Sequence, residues 1–391
     1  MKQKLFYLYI IVFAWTHRKL GEVTTKIGSG KTPKGGSSVY LRHGIPLLRS
    51  QNITNDAVDL SDVVYISDEM DSEMANSRVQ IKDVLLNITG ASIGRSAVYT
   101  HTTTANVNQH VCIVRPTRDV NAEYLQLNLT SPNGQQQIDN SQAGGGREGL
   151  NFQQIAKIEF HFPTLPEQTA IGTFFRTLDD IIAATQRKVA GLKQLKAAYL
   201  QQMFPQAGER VPRVRFGGFT GDWEIRTIES FADVKTGGKD TQDAISNGEY
   251  DFYVRSPKIE KINSYSFDGE AVLTVGDGVG VGKVFHYVNG KFDYHQRVYK
   301  ISDFNDVYGL FFYQYFAANF IKESQKYNAK TSVDSVRREM ITKMLIPCPT
   351  IEEQITIGDF FHNLDTQITA QSEKAKKLKQ LKSAYLQKMF I

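Results

Sequence analysis

Apolar positions along the chain follow two alternating patterns. In residues 165–204 and 351–390 they recur at steps of three and four, the spacing of an amphipathic helix. The first stretch predicts a short helix that turns Ile171, Phe174 and Phe175 inward, then a longer one over roughly 178–203. The long helix carries a seam of Leu178, Ile182, Val189, Leu192, Tyr199 and Met203, flanked by Leu195. Its counterpart carries Leu364, Ile368, Ala375, Leu378, Tyr385 and Met389. Thr185 and Lys196, with Gln371 and Lys382 at the matching places, interrupt the two seams. Neither seam is stable bare in water, so the two helices are expected to pack on each other, antiparallel. A T-x-x-E capping box starts each stretch, at Thr164 and Glu167 and at Thr350 and Glu353. The lysines within 193–196 and 376–382 read as a solvated helix face; a DNA patch, a lipid patch or a protein-docking face are the alternatives.

Elsewhere the pattern is one of short apolar runs broken by glycine turns. Residues 84–89 and 96–99 flank GASIGR, and 271–275 and 283–288 flank GDGVGVG; both read as hairpins. Residues 111–115 and 297–301 read as later strands, with helical stretches over 308–324 and from 122 to 129. Polar loops follow at 141–151 and 325–338. The fold class is α/β (α+β), with long helical spacers.

The two halves repeat. Residues 165–204 and 351–390 align at an offset of 186 without a gap, and 22 of 40 positions are identical. Upstream, the same offset places Gly90 and Gly94 on Gly276 and Gly280. The starts align differently: Trp15 matches Trp223, an offset of 208, so the second copy is 22 residues shorter in between. The division is 1–163 and 205–349 for two variable units, and 164–204 and 350–391 for two helical repeats, with a linker-like Pro, Gly and Arg run over 205–221. Near-identical segments do one task twice; diverged segments on one frame do different versions of a task.

Composition narrows the options further. In 391 residues, 46 Lys and Arg stand against 41 Asp and Glu, a mildly basic net charge of +5 that permits a nucleic-acid partner. Two cysteines, Cys112 and Cys348, provide neither a disulfide framework nor a cysteine zinc site, and a reducing cytoplasm is the expected compartment. The apolar run over 5–15 is shorter than the ~20 residues a membrane helix needs and reads as a buried strand or helix, so no membrane is expected. GSGKT at 28–32 lacks the glycine a phosphate loop needs at position 25, which is Thr. No amino-methylase tetrad and no metal-binding histidine spacing occurs. No catalytic residue and no metal ligand is expected.

A Trp-x4-LGE start, a strand, a glycine loop and a Gly-Arg hairpin, the entry P-x-L-P-E-Q and the exit K-Q-L-K-x-A-Y-L-Q-x-M-F, in a frame used twice, closely resemble the specificity (S) subunit of type I restriction-modification systems. The second copy has Ile228-Glu229-Ser230 where the first has LGE. The resemblance covers nearly the whole chain. It implies two target recognition domains related by a pseudo-twofold internal repeat, a coiled-coil-like spacer and a non-catalytic role. It implies double-stranded DNA, two methyltransferase subunits and restriction/translocase subunits as partners. S-adenosylmethionine, ATP and Mg would sit on those partners, with no cofactor in this chain. The alternative is a stand-alone DNA-binding regulator without methyltransferase partners.

Under that reading each variable unit reads one half of a split, asymmetric DNA site. The long helix is about 39 Å over 178–203. That is close to one duplex turn of ~34–36 Å, which leaves an unread spacer of about 6–7 bp. Candidate readers are polar side chains on loops beside the strands: Lys31, Lys34, Arg49, Gln51, Asn52, Arg95, Gln109, His110 and Arg147 in the first unit. In the second they are Lys235, Lys239, Arg255, Lys283, His295, Gln296, Lys330 and Arg337. Arg forks onto guanine O6 and N7, and Gln or Asn onto adenine N6 and N7, while Lys holds phosphate.

Overall fold

The computed structural model describes residues 15–142, 149–325 and 335–390. The chain forms two compact units, one of Met1–Ala184 with Lys374–Ile391 and one of Thr185–Glu373. Both boundaries fall inside long helices, so each unit holds a part of each. All of the apolar run except Trp15 lies outside the described residues.

In the first unit, Thr16–Lys19 pairs antiparallel with Glu159–Phe162. A four-stranded antiparallel sheet runs in the order Thr24–Ser29, Val111–Pro116, Val84–Asn87, Ser96–Val98. A second sheet orders Val64–Ile66, Ile45–Leu48, Ala105–Val107 and Arg78–Val79, with one parallel pair in the middle. The expected hairpin and later strand are present; the second sheet is an addition, because its strands are two to four residues long and carry too little alternation to be recognised. Helices Ala122–Thr130, Pro132–Gln142 and Phe152–Lys157 complete the unit. Its largest core joins Val84, Leu86, Val114, Tyr124, Leu125 and Phe160 with Phe175 of the first long helix and Phe390 just past the end of the second.

In the second unit Glu224–Thr227 pairs with Leu345–Cys348. A single six-stranded sheet orders Asp233–Thr236, Val298–Ser302, Phe267–Val275, Phe285–Tyr294, Tyr250–Tyr253 and Ile259–Ile262. Here the hairpin strands are nine and ten residues long and join what the first unit keeps as two sheets. Gly269 and Gly290 face each other in the ladder at φ 147° and 133°. A side chain strains such a backbone, and the glycines let the hairpin coil on through. Helix Gly309–Gln325 lays Phe312, Phe316 and Phe320 against the sheet. Cys112 and Cys348 are free and buried, and burial pushes each thiol up to about 12.

The spacer stretches differ from expectation in three ways. Each is one unbroken helix, Leu165–Gln202 and Ile351–Met389, not a short helix followed by a long one. Phe174 is 44% exposed, not inward, although its ring meets Tyr385 edge-on at 5.3 Å. At the start of the second helix the reciprocal capping box is replaced: Glu353 is fully buried and accepts two bonds of 2.7 Å from the Arg215 guanidinium. Arg215 belongs to the linker-like run, which is packed down, with Val214 and Phe216 against the aromatic core around Phe204 and Phe361.

Within each unit the helix parts run antiparallel, held by the same contacts. In the first, Phe174 meets Tyr385 and Asp179 meets Lys382; in the second, Tyr199 meets Phe360 at 5.2 Å and Lys196 meets Asp365. Of the seam, Leu178, Ile182, Met203, Leu364 and Ala375 are buried. Val189, Leu192, Tyr199, Ile368, Leu378 and Met389 are half-buried, and Tyr385 is exposed. The seam lysines are internal partners, not part of the solvated face. Lys196 Nζ lies 2.6 and 2.7 Å from the two Asp365 oxygens. Lys382 Nζ lies 2.6 Å from Asp56 and 2.7 Å from Asp179. Burial alone would lower the Lys382 ammonium, but Asp56 and Asp179 together hold it above the ordinary lysine value.

Lys382→Met leaves two partly buried carboxylates without a cation. We expect a loss of about 1–2 kcal/mol, read as faster hydrogen exchange around Asp56 and along the helix at Asp179.

Candidate nucleic-acid interface

Three turns of the first unit converge. Ser50–Asn52 follows strand Ile45–Leu48, Gly90–Ser92 lies inside the hairpin, and Asn108 begins the turn before strand Val111–Pro116. The concavity they frame holds about 430 Å³ and is lined by Ser50, Gln51, Thr89, Ser92, Arg95 and His110. Each turn has a local cause. Gly90 and Gly94 take φ 69° and 84°, a conformation that favours glycine. Asn108 is buried; its N–H donates to Leu48 O at 3.0 Å and its Oδ1 accepts the His110 N–H at 3.0 Å. That side-chain turn throws Gln109 and His110 outward. His110 Nδ1 lies 2.6 Å from Thr89 Oγ1, and Thr32 bonds the Gln109 amide.

The second unit repeats this frame with other side chains. His295 does the work of Asn108: its N–H donates to Tyr253 O at 2.9 Å and its Nδ1 accepts the Arg297 N–H at 2.9 Å. Gln296 then matches Gln109, and Arg297 matches His110. In the glycine loop Gly278 and Gly282, at φ 77° and 66°, match Gly90 and Gly94. This corrects the pairing with Gly276 and Gly280, which an unbroken offset of 186 requires. The loop turns also agree: Ile93 N–H bonds Gly90 O as Val281 N–H bonds Gly278 O, both at 3.1 Å. Lys283 therefore stands in the place of Arg95, and Asp277 in that of Thr89.

Of the sequence candidates, Lys31, Lys34, Gln51, Arg95, Gln109, Lys235, Arg255, Lys283, Gln296 and Arg337 are exposed. Gln51 donates to Asp62, Gln296 to Asp240 and Lys235 to Asp233, each at 2.8 Å. Arg49, His110 and Lys239 are half-buried. Asn52 is buried and its amide holds its own loop, donating to Asp59 O at 3.0 Å and accepting the Arg49 N–H at 3.0 Å. His295 is 2% exposed. Arg147 and Lys330 lie outside the described residues. Arg297 and Asp277 were absent from the candidates; matching N-Q-H-V to H-Q-R-V, residues 108–111 to 295–298, reveals both the frame and Arg297.

His295 carries a pH signature. Burial lowers its pKa; Arg255 and Arg297 act in the same sense, Asp240 and Asp277 against it. The unfolded chain then takes up a proton, near the ordinary histidine value of about 6.5, that the folded chain refuses. Stability from this group is present above that pH and is lost as pH falls through it. We expect His295→Asn, which installs the side chain found at 108, to flatten the melting temperature between pH 7 and 5 and leave it unchanged at pH 8. The slope that remains belongs in part to His286, which burial also lowers.

A family model, the type I restriction modification DNA specificity domain, matches twice, over residues 14–194 and 220–382. The chain belongs to that family. Among specificity-domain proteins, it is 26% identical over 166 residues to the type I restriction enzyme EcoDI specificity subunit of Escherichia coli, covering 42% of this chain and 36% of that protein. It is 21% identical over 219 residues to the putative MjaX specificity subunit of Methanocaldococcus jannaschii, covering 54% and 51%. The chain thus spans between about a third and a half of the length of these relatives. Its fold is that of the crystallised type I restriction-modification S subunit of M. genitalium, with a TM-score of 0.69, 13% identity and 96% of each chain covered. The paired specificity-domain units and the tandem spacer helices are those the sequence motifs imply.

Proposed function

We propose that the chain is the DNA sequence-recognition subunit of a type I restriction-modification complex. The observation that carries this reading is the frame of glycine loop and strand-entry turn that both units share. Thr89, Arg95, Gln109 and His110 stand on the same backbone frame as Asp277, Lys283, Gln296 and Arg297. One frame with unlike donors and acceptors suits two unlike half-sites. Three or four bases are read by each unit, with an unread spacer of about 6–7 bp. The candidate residues named above that are exposed at the turns read bases or hold phosphate. The chain catalyses nothing itself. Two methyltransferase subunits dock on the helical repeats, and restriction/translocase subunits join them; S-adenosylmethionine, ATP and Mg reside there. The duplicated helices favour this over a stand-alone regulator, which has no need of two docking stretches.

The test exchanges residues 205–350 for those of another family member and reads host methylation by single-molecule sequencing. One half-site changes and the other persists. A site that changes in neither half, or that is one continuous block, overturns the proposal.

A further inference from the structure

The first unit sets a hydroxyl and an imidazole, Thr89 and His110, at the junction of its glycine loop and turn. The second sets charged groups there. Asp277 Oδ1 lies 3.4 Å from Arg255 Nη1, and Asp277 Oδ2 lies 3.7 Å from Arg297 Nε. Both arginine side chains are more than half exposed; Arg255 donates to the carboxylate through Nη1, whereas Arg297 is ion-paired at Nε and keeps its terminal donors. Arg297 is the stronger of the two as a reader. Its backbone N–H is fixed by the buried His295 ring, and its turn begins a central strand. A guanidinium engaged through Nε keeps its two terminal nitrogens for a planar, two-acceptor partner.

We propose that Arg297, aimed by Asp277, is a specificity-determining residue that reads a guanine in the half-site of the second unit through O6 and N7. This rests on the DNA-recognition reading and goes beyond it by naming a base and the residue that selects it. A lysine at 297 keeps the charge and loses the fork, so it separates base reading from phosphate holding. Asp277 is a positioning residue: without it the guanidinium remains but loses its aim.

The probe is a pool of randomised duplex DNA. It is selected on the full chain isolated from its host with the chains that co-purify, for the unaltered protein and for Arg297→Ala, Arg297→Lys and Asp277→Ala. The unaltered protein enriches a split site with a guanine at one position of one half. Both Arg297 variants lose preference for that guanine by about 10- to 100-fold and leave the other half unchanged. Asp277→Ala weakens the same position to a smaller extent. Both Arg297 variants keep the melting temperature, because that side chain is mostly solvated. If Arg297→Lys retains the full preference, or Arg297→Ala leaves the split site intact, the assignment of Arg297 is overturned while the two-half reading stands. If the unaltered protein enriches no sequence, both fall together.

Discussion

Replacing Arg215 with alanine is expected to cost the second unit about 3–5 kcal/mol. Glu353 has no exposed surface, and the Arg215 guanidinium is its bidentate counter-ion. The same guanidinium donates to Thr220 O and Gly221 O at 3.1 and 2.8 Å, tying down the bend before Trp223. Removal strands a carboxylate in the interior and frees the strap whose Phe216 packs edge-on against Phe360. The measurement is denaturant unfolding followed by hydrogen exchange resolved along the chain, with protection lost first over 205–223 and the start of helix Ile351–Met389. Adding Glu353→Gln to Arg215→Ala removes the stranded charge and recovers part of the loss. A double variant as unstable as the single one would show that the bond to Glu353 is not the source of the stability.

The second large effect is expected at a pair of glutamines. Gln168 is buried; its Oε1 accepts the Asn121 N–H at 3.0 Å, and its Nε2 donates to Pro163 O at 2.9 Å and Asp119 O at 3.4 Å. Gln354 does the same with Tyr308 N–H, Pro349 O and Asp306 O at 2.9, 2.9 and 3.3 Å. Four residues on, Gly172 and Gly358 let the helix approach closely: a Cβ on Gly172 would meet Asn121 and Glu123, and one on Gly358 would meet Tyr308 and Phe311. Gln168→Ala and Gln354→Ala each leave buried backbone groups unpaired, at about 2–3 kcal/mol. Gln→Glu at either place is at least as damaging, since it replaces the amide donors with a charge beside backbone carbonyls. Thermal unfolding of both variants checks this. If only one of them loses stability, the locks are not equivalent.

Much of this architecture was legible in the chain. The helix pairs followed from apolar steps of three and four, and the hairpins from glycine loops between short apolar runs. What escaped depends on partners distant in sequence. The Glu of T-x-x-E has a local use as a cap, and only the fold shows that Arg215, 138 residues away, claims Glu353 instead. Lys382 reads as one of several helix-surface lysines until Asp56, 326 residues away, meets it. At the site the difficulty was one of register. Slips of one and two residues between the units set His295 over Gln109 and Gly276 over Gly90. In that register the buried turn-former His295 occupies a reader's place and Arg297 has no exposed counterpart. Hydrogen bonds settle the register, because turns are defined by who bonds to whom rather than by residue type.

The two glutamine locks grip only main-chain atoms: one N–H and two carbonyls each. Such a grip is indifferent to the side chains of the piece it holds. Under the proposed recognition role, a variable unit of unlike sequence can be seated in this socket without redesigning the socket, so whole units rather than single residues become the parts that can be exchanged.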